Sequence, residues 1–252
     1  MAVVTGASRG IGAEIARRLA GEGARVVASA RTLEPDERAP GSLAQTVDEI
    51  RASGGEAVAI RCDISHAEDR AHLIDEATAR VGPIDILVNN AAATFMMPLE
   101  QWTRKRFDLM VETQMWAPFE LSQLVVPAMR SKGEGWILNI TSRAAAFAEG
   151  PPFDAVQEQS GFSIYGAVKA GLDRMSNSLG AELRPFGIRV NALAPWDNVA
   201  TPGASHHDLV EGFALEDISL MADAALALCT GDPDRTGLRV YTQPFLRDLG
   251  VR

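Results

Sequence analysis

Tyr165 and Lys169 stand four apart in the segment SIYGAVKAGLDRMSNSL. Four residues is about one helical turn, so a phenol and an ammonium leave one helix face and can serve one site. A cation held beside a phenol favours the phenolate and lowers a pKa that starts near ~10. Such a hydroxyl can exchange protons with a carbonyl or alcohol oxygen closer to neutrality.

Gly6, Gly10 and Gly12 form a second cluster, in the opening AVVTGASRGIG. They fall between an apolar run and a helical pattern, where residues without Cβ turn tightly and bring amides and a helix N-terminus against a pyrophosphate. Their spacing, Gly-x-x-x-Gly-x-Gly, differs from the Gly-x-Gly-x-x-Gly fingerprint of other dinucleotide folds. About 20 residues further on, an NAD site places a carboxylate against the ribose 2′-hydroxyl. The segment VVASART offers Ser29, Arg31 and Thr32 instead, and Arg9 lies inside the glycine loop. Two guanidinium groups converging there suit a 2′-phosphate, so NADP(H) is expected over NAD(H).

The elements that must hold these groups follow from periodicity. Apolar runs suited to buried strands recur as AVVT, RVVAS, AVAIR, IDILVNN, WILNIT, IRVNALAP and LRVYT, with helical patterns between them. The alternation predicts an α/β fold: a doubly wound central parallel sheet of about seven strands flanked by helices. Ile11, Ile15 and Leu19 mark the buried stripe of the first helix, which stops at GEGA. Ile164, Val168, Leu172, Met175, Leu179 and Leu183 mark that of the helix bearing Tyr165, which ends before Pro185.

The 252 residues read as one domain, since neither a repeat nor a dividing linker interrupts them. An apolar fraction of 46% without a membrane-length run, and a start that enters a strand with no basic leader, predict a cytoplasmic protein. Cys62 and Cys229 are then expected as buried thiols. A net charge of −9 with no Lys/Arg run resembling a nucleic-acid patch argues against a polyanion partner. His206 and His207 are adjacent, so their side chains diverge, and no ligand cluster surrounds them; no metal is expected.

With TGASRGIG, CDIS, NNAA, ILNITS, Tyr165-x-x-x-Lys169 and VNALAP in this order, the chain resembles the short-chain dehydrogenase/reductases (SDR) over nearly its whole length. That resemblance implies a Rossmann-type fold and an NADP(H)-dependent oxidoreductase acting on the alcohol/carbonyl pair of a mostly apolar small molecule. It implies that Tyr165 is the general acid/base, that Lys169 lowers its pKa and holds the nicotinamide ribose, and that Ser142 hydrogen-bonds the substrate oxygen. Gly6, Ser8, Gly10, Ile11 and Gly12 would hold the pyrophosphate, with Arg9, Arg31 and Thr32 at the 2′-phosphate. Asp63 and Ile64 would lie at the adenine, Asn89 and Ala91 at the cofactor ribose, and Pro195, Trp196 and Thr201 at the nicotinamide amide. A homo-oligomer, dimer or tetramer, is implied through the helices containing Gln114 and Tyr165.

The chain also departs from the family pattern. Gln114 stands at the usual catalytic Asn, moving the amide by one methylene while keeping its donor and acceptor, so a slowed relay through water to Lys169 is expected. Ala92 replaces the Gly of NNAG, Trp196 follows Pro195 where Gly is usual, and the tail YTQPFLRDLGVR replaces an Asp-Gly-Gly ending. Two segments should border the substrate: a lid-like insertion at 147–162, with Phe147, Phe153 and Phe162, and a loop at 196–215. Met96, Met97, Trp196 and Phe213 would line an apolar pocket, Trp196 either facing the nicotinamide or packing outward. Two rival readings keep the fold: a non-catalytic NADP(H)-binding regulatory protein, and an epimerase-like enzyme without net cofactor turnover.

Overall fold

The computed structural model describes residues 1–35, 41–153, 158, 161–201 and 214–251. The strands are β1 (Ala2–Thr5), β2 (Val26–Ala30), β3 (Ala57–Arg61), β4 (Ile86–Asn89), β5 (Gly135–Ile140) and β6 (Ile188–Ala194). The short pair β7 (Asn198–Val199) and β8 (Leu215–Glu216) stands apart, and β9 (Arg239–Tyr241) closes the main sheet. That sheet is parallel, in the order β3-β2-β1-β4-β5-β6-β9.

Its register explains the apolar runs. Val3, Val27, Leu87, Ile137 and Val190 lie in one row across neighbouring strands and face one helix layer; Val4, Ala28, Val88 and Leu138 form the next row and face the other. Both rows are buried, so the strands need apolar residues at every position rather than at alternate ones. On one face lie α1 (Gly10–Gly21), α2 (Leu43–Ala52), α7 (Ile218–Thr230) and α8 (Thr242–Asp248). On the other lie α3 (Ala67–Val81), α5 (Ala117–Lys132) and α6 (Ser163–Leu183). A π-turn, Glu112–Trp116, joins α4 (Arg104–Val111) to α5. The departing tail forms α8, which buries Phe245 and Leu246.

One helix differs from its periodic reading. The buried residues of α6 are Val168, Lys169, Leu172, Ser176, Gly180 and Leu183, while Ile164, Met175 and Leu179 are only partly covered. The inward face is rotated toward small and polar positions for two reasons. The Ser176 hydroxyl accepts from Asn139 on β5 at 2.8 Å, and Gly180 lies so close to Gly237 that a Cβ would meet its nitrogen at 2.3 Å. Lys169 is therefore carried inside the stripe.

The strand order reverses between β1 and β4, which opens a crevice outside the carboxyl ends of the strands. The glycine loop after β1, Asn90 after β4, Ser142 after β5 and Pro195 after β6 all lie at that end. Both cysteines are buried and free. Among the described residues no helix is long and apolar enough to cross a membrane.

Candidate active site

Gly6 and Gly10 adopt φ of +68° and +55°. A Cβ on Gly6 would fall 2.7 Å from Asn90 Nδ2, and one on Gly12 2.5 Å from the Gly6 carbonyl oxygen, so the loop, the start of α1 and Asn90 touch only because both are glycine. Asn90 Nδ2 donates to the carbonyls of Thr5 and Gly6 at 3.0 and 3.2 Å, and the Ala91 amide donates to Thr5 Oγ1 at 3.1 Å. Helix α1 starts after Arg9 with no side-chain cap and no acidic residue in its first turn. Its leading amides, from Gly10, Ile11 and Gly12, are thus free for an anion, and this cradle fits a dinucleotide pyrophosphate. Thr201 packs across it, 3.3 Å from where a Cβ on Gly10 would stand.

At the far end of the crevice Arg9 and Thr32 come together: Arg9 Nη2 lies 3.4 Å from Thr32 Oγ1 and 3.4 Å from the Gly41 carbonyl. Ser8 is buried and Arg31 exposed. Sequence reasoning missed Arg61, which pairs in register with Ala30 and whose Nε reaches the Arg31 carbonyl at 3.3 Å. Its exposed place at the end of β3 was the available signal. Asp63 accepts from the amide and hydroxyl of Ser65 at 3.0 and 2.7 Å. Burial works against its charge, but the Ser65 bonds outweigh burial and, with Arg31 and His66, hold the carboxyl below its usual range. Ile64 is buried beneath it. The Asn89 side chain does not face the crevice: it is turned into the sheet, where Nδ2 donates to Asn139 Oδ1 at 2.9 Å.

The proton-transfer groups do converge. Ser142 caps a 3-10 turn (Arg143–Ala145), its Oγ accepting from the Ala144 amide at 3.2 Å. Helix α6 leans on this turn so closely that a Cβ on Gly166 would stand 2.6 Å from the Ala144 carbonyl oxygen. That approach sets Tyr165, one residue earlier, close enough to Ser142 for the serine hydroxyl to act on the phenol. The expected acidification of Tyr165 by Lys169 is not seen. Lys169 Nζ is 5.9 Å from the phenol ring centroid and donates to the Ile140 carbonyl at 2.9 Å. Burial dominates at both groups, pushing the phenol up against the opposing influence of Ser142 and bringing the ammonium down to about 8 against the opposing charge of Asp173.

Gln114 is buried on the π-turn, close to α6, where Met115 lies against Gly171. Its Nε2 donates to the Ala93 carbonyl at 2.6 Å and its Oε1 is buried without a partner. The Trp196 ring packs between Arg143, whose guanidinium carbon is 4.9 Å from the ring centroid, and Tyr241, which meets it edge-on at 5.5 Å. The Trp196 amide is tied to Glu216 Oε2 and Thr242 Oγ1 at 3.2 and 3.0 Å. Burial raises the Glu216 carboxyl, opposed by Thr242, Asp197, Gln243 and Trp196. Met96 and Met97 are partly buried, Met97 against Gly161, and the Phe162 ring lies 6.1 Å from the Tyr165 ring. His206, His207 and Phe213 lie outside the described residues, as do parts of 147–162 and 196–215. Among the described residues no acidic, His or Cys cluster could hold a metal ion.

A doubly wound sheet with a glycine-lined crevice at its switch point defines a Rossmann-type nucleotide-binding protein. The match to the short chain dehydrogenase model over residues 1–206 narrows this: the chain belongs to that family of oxidoreductases. It is 35% identical to the short-chain reductase protein NovJ of Streptomyces niveus over 92% of this chain and 80% of that one. With the 7alpha-hydroxysteroid dehydrogenase of Escherichia coli K12 it shares 37% identity, over 77% of this chain and 69% of the relative. With the ketoacyl reductase HetN of a Nostoc strain the figure is 34%, over 77% of this chain but only 61% of HetN. Among solved structures it is similar to a metagenomic short-chain oxidoreductase in complex with NADP, at TM-score 0.77 and 32% identity over 96% and 95% of the two chains. It is also similar to a variant of the actinorhodin polyketide ketoreductase with NADPH, at TM-score 0.81 and 29% identity over 95% and 94%.

Proposed function

We propose that the chain is an NADP(H)-dependent oxidoreductase that interconverts a carbonyl and an alcohol in a mostly apolar small molecule. The observation that carries this reading is the close approach of α6 to the Ser142 turn, which sets Tyr165 beside Ser142 with buried Lys169 one turn further along the helix. Bound nicotinamide would supply or accept the hydride. Ser142 fixes the substrate oxygen, Tyr165 moves a proton at that oxygen, and Lys169 supplies positive charge beneath it. A phenol held up by burial stays protonated at neutral pH, able to donate to a carbonyl oxygen as it gains charge.

Two arginines and no carboxylate at the end of β2 support NADP(H). The bound NADP and NADPH of the structural neighbours point the same way. Binding titrations should show NADPH tighter than NADH, and Arg9→Ala should weaken NADPH while leaving NADH nearly unchanged; tighter NADH overturns the assignment. For the substrate, the partly buried Met96, Met97 and Trp196 and the names of the steroid and ketoacyl relatives support an apolar ketone, tested with a ketone panel and NADPH. Phe162 beside Tyr165 and Trp196 beside Arg143, described residues of the two segments expected to border the substrate, support such a pocket in a single cytoplasmic domain. Exposed Phe107, Trp116 and Leu124 on α4, the π-turn and α5 support a homo-oligomer.

A second reading, a non-catalytic NADP(H)-binding regulator, draws on Gln114, one of whose two amide N–H groups is taken by the Ala93 carbonyl. Under it NADPH binds and no ketone is turned over.

A further inference from the structure

Beyond the proton-transfer groups, one charged residue of the last strand reaches toward them. Asp173 lies one turn past Lys169 on α6, with its side chain 11% exposed, and Arg239 of β9 meets it, Nε to Oδ2, at 2.6 Å. The same guanidinium donates from Nη2 to the Tyr241 hydroxyl at 2.5 Å. Tyr241 in turn supports Trp196 edge-on, and Trp196 lies against Arg143, the neighbour of Ser142.

A carboxylate four residues after a lysine is that lysine's natural helical partner, and the charges of Asp173 and Lys169 do act on each other. Yet Lys169 donates to the Ile140 carbonyl, while Asp173 gives Oδ2 to Arg239 and keeps Oδ1 buried without a hydrogen bond. The polar groups around the pair are Tyr165 on α6, Thr141 after β5 and Arg239 on β9. Thr141 Oγ1 meets the Lys169 carbonyl rather than its ammonium.

We propose that Arg239 is a positioning residue: by occupying Asp173 it keeps that carboxylate from capturing the Lys169 ammonium, which stays available to the Tyr165 hydroxyl and whatever binds above it. The inference rests on the acid–base reading of Tyr165 and Lys169. It adds a requirement for a residue that touches neither substrate nor cofactor.

The chain holds three lysines, Lys105, Lys132 and Lys169, so their Cε resonances can be followed one by one in cofactor-free protein carrying 13C-lysine, with Lys169→Met giving the assignment. In the wild type Lys169 should titrate near 8. Removing Arg239 as Arg239→Met leaves Asp173 with Lys169 as its remaining cation, and the midpoint should rise by about one pH unit. Asp173→Asn removes the carboxylate and should lower it, while Arg239→Lys should restore the wild-type value. With NADPH and the best ketone of the panel, the alkaline limb of kcat/KM should move in the same directions. An Arg239→Met midpoint that stays or falls overturns the proposal; should that variant not fold, Arg239→Gln carries the same decision. Turnover surviving in Tyr165→Phe would strike the parent reading and this one together, whereas lost turnover with an unmoved Lys169 midpoint strikes only this one.

Discussion

Lys169 shows how much the site asks of a single residue. Its ordinary value of 10.5 is brought to about 8 because the ammonium is buried with one hydrogen bond and a carboxylate already engaged elsewhere. A cation whose folded pKa lies below its unfolded one costs stability in full below the folded value, and the cost fades as pH rises to the unfolded value. Lys169→Met should therefore stabilise the cofactor-free chain by about 3 kcal/mol at pH 7, and the gain should shrink between pH 8 and 10.5. Denaturant melts of both proteins across that range check it; a destabilised variant at pH 7 would show that Lys169 is held by more than Ile140. The site trades stability for charge placement, as functional sites often do.

At the scale of elements, the approach of α6 to the Ser142 turn decides whether the groups meet. Gly to Ala inside a helix is ordinarily worth up to ~1 kcal/mol of gain. At Gly166 a methyl would stand 2.6 Å from the Ala144 carbonyl oxygen, so helix and turn must part. Gly166→Ala should lose stability instead and lower kcat at least tenfold by lengthening the Tyr165–Ser142 contact. Steady-state kinetics with a melting curve decide it, and unchanged kcat would show that the turn yields without moving Ser142. This closeness also marks where sequence reading stopped. The strands were legible because both their faces are buried and the runs are unbroken, and Tyr165 with Lys169 because a helix puts i and i+4 together. Asp173 with Arg239, and Glu216 with Trp196 and Thr242, join residues far apart in sequence, and no local pattern announces them. Nor does one announce Arg70, fully buried between Glu112, Glu120 and the Ile64 carbonyl, which ties the loop after β3 to the π-turn holding Gln114. Spacing likewise places Tyr165 and Lys169 on one face but says nothing of how dry that face is, and burial is what moves both groups.

Across the whole molecule, the sheet's reversal between β1 and β4 sets the crevice, and the two helix layers keep it fixed. Trp116, at 47% exposed, and Phe107 and Leu124, at 39% each, are the apolar side chains proposed for assembly. A Trp116→Glu/Phe107→Glu double variant should run as a smaller species than the wild type in light scattering at micromolar concentration; equal masses would place the contact elsewhere. If the crevice takes NADPH as proposed, a hundredfold excess over Kd should add about 2.7 kcal/mol to stability. The most direct test of the central claim combines that binding with turnover. Tyr165→Phe should bind NADPH with wild-type affinity by calorimetry and lose at least a hundredfold in the rate of ketone reduction, because only the proton donor at the substrate oxygen is gone. Reduction at an undiminished rate in that variant would contradict the account.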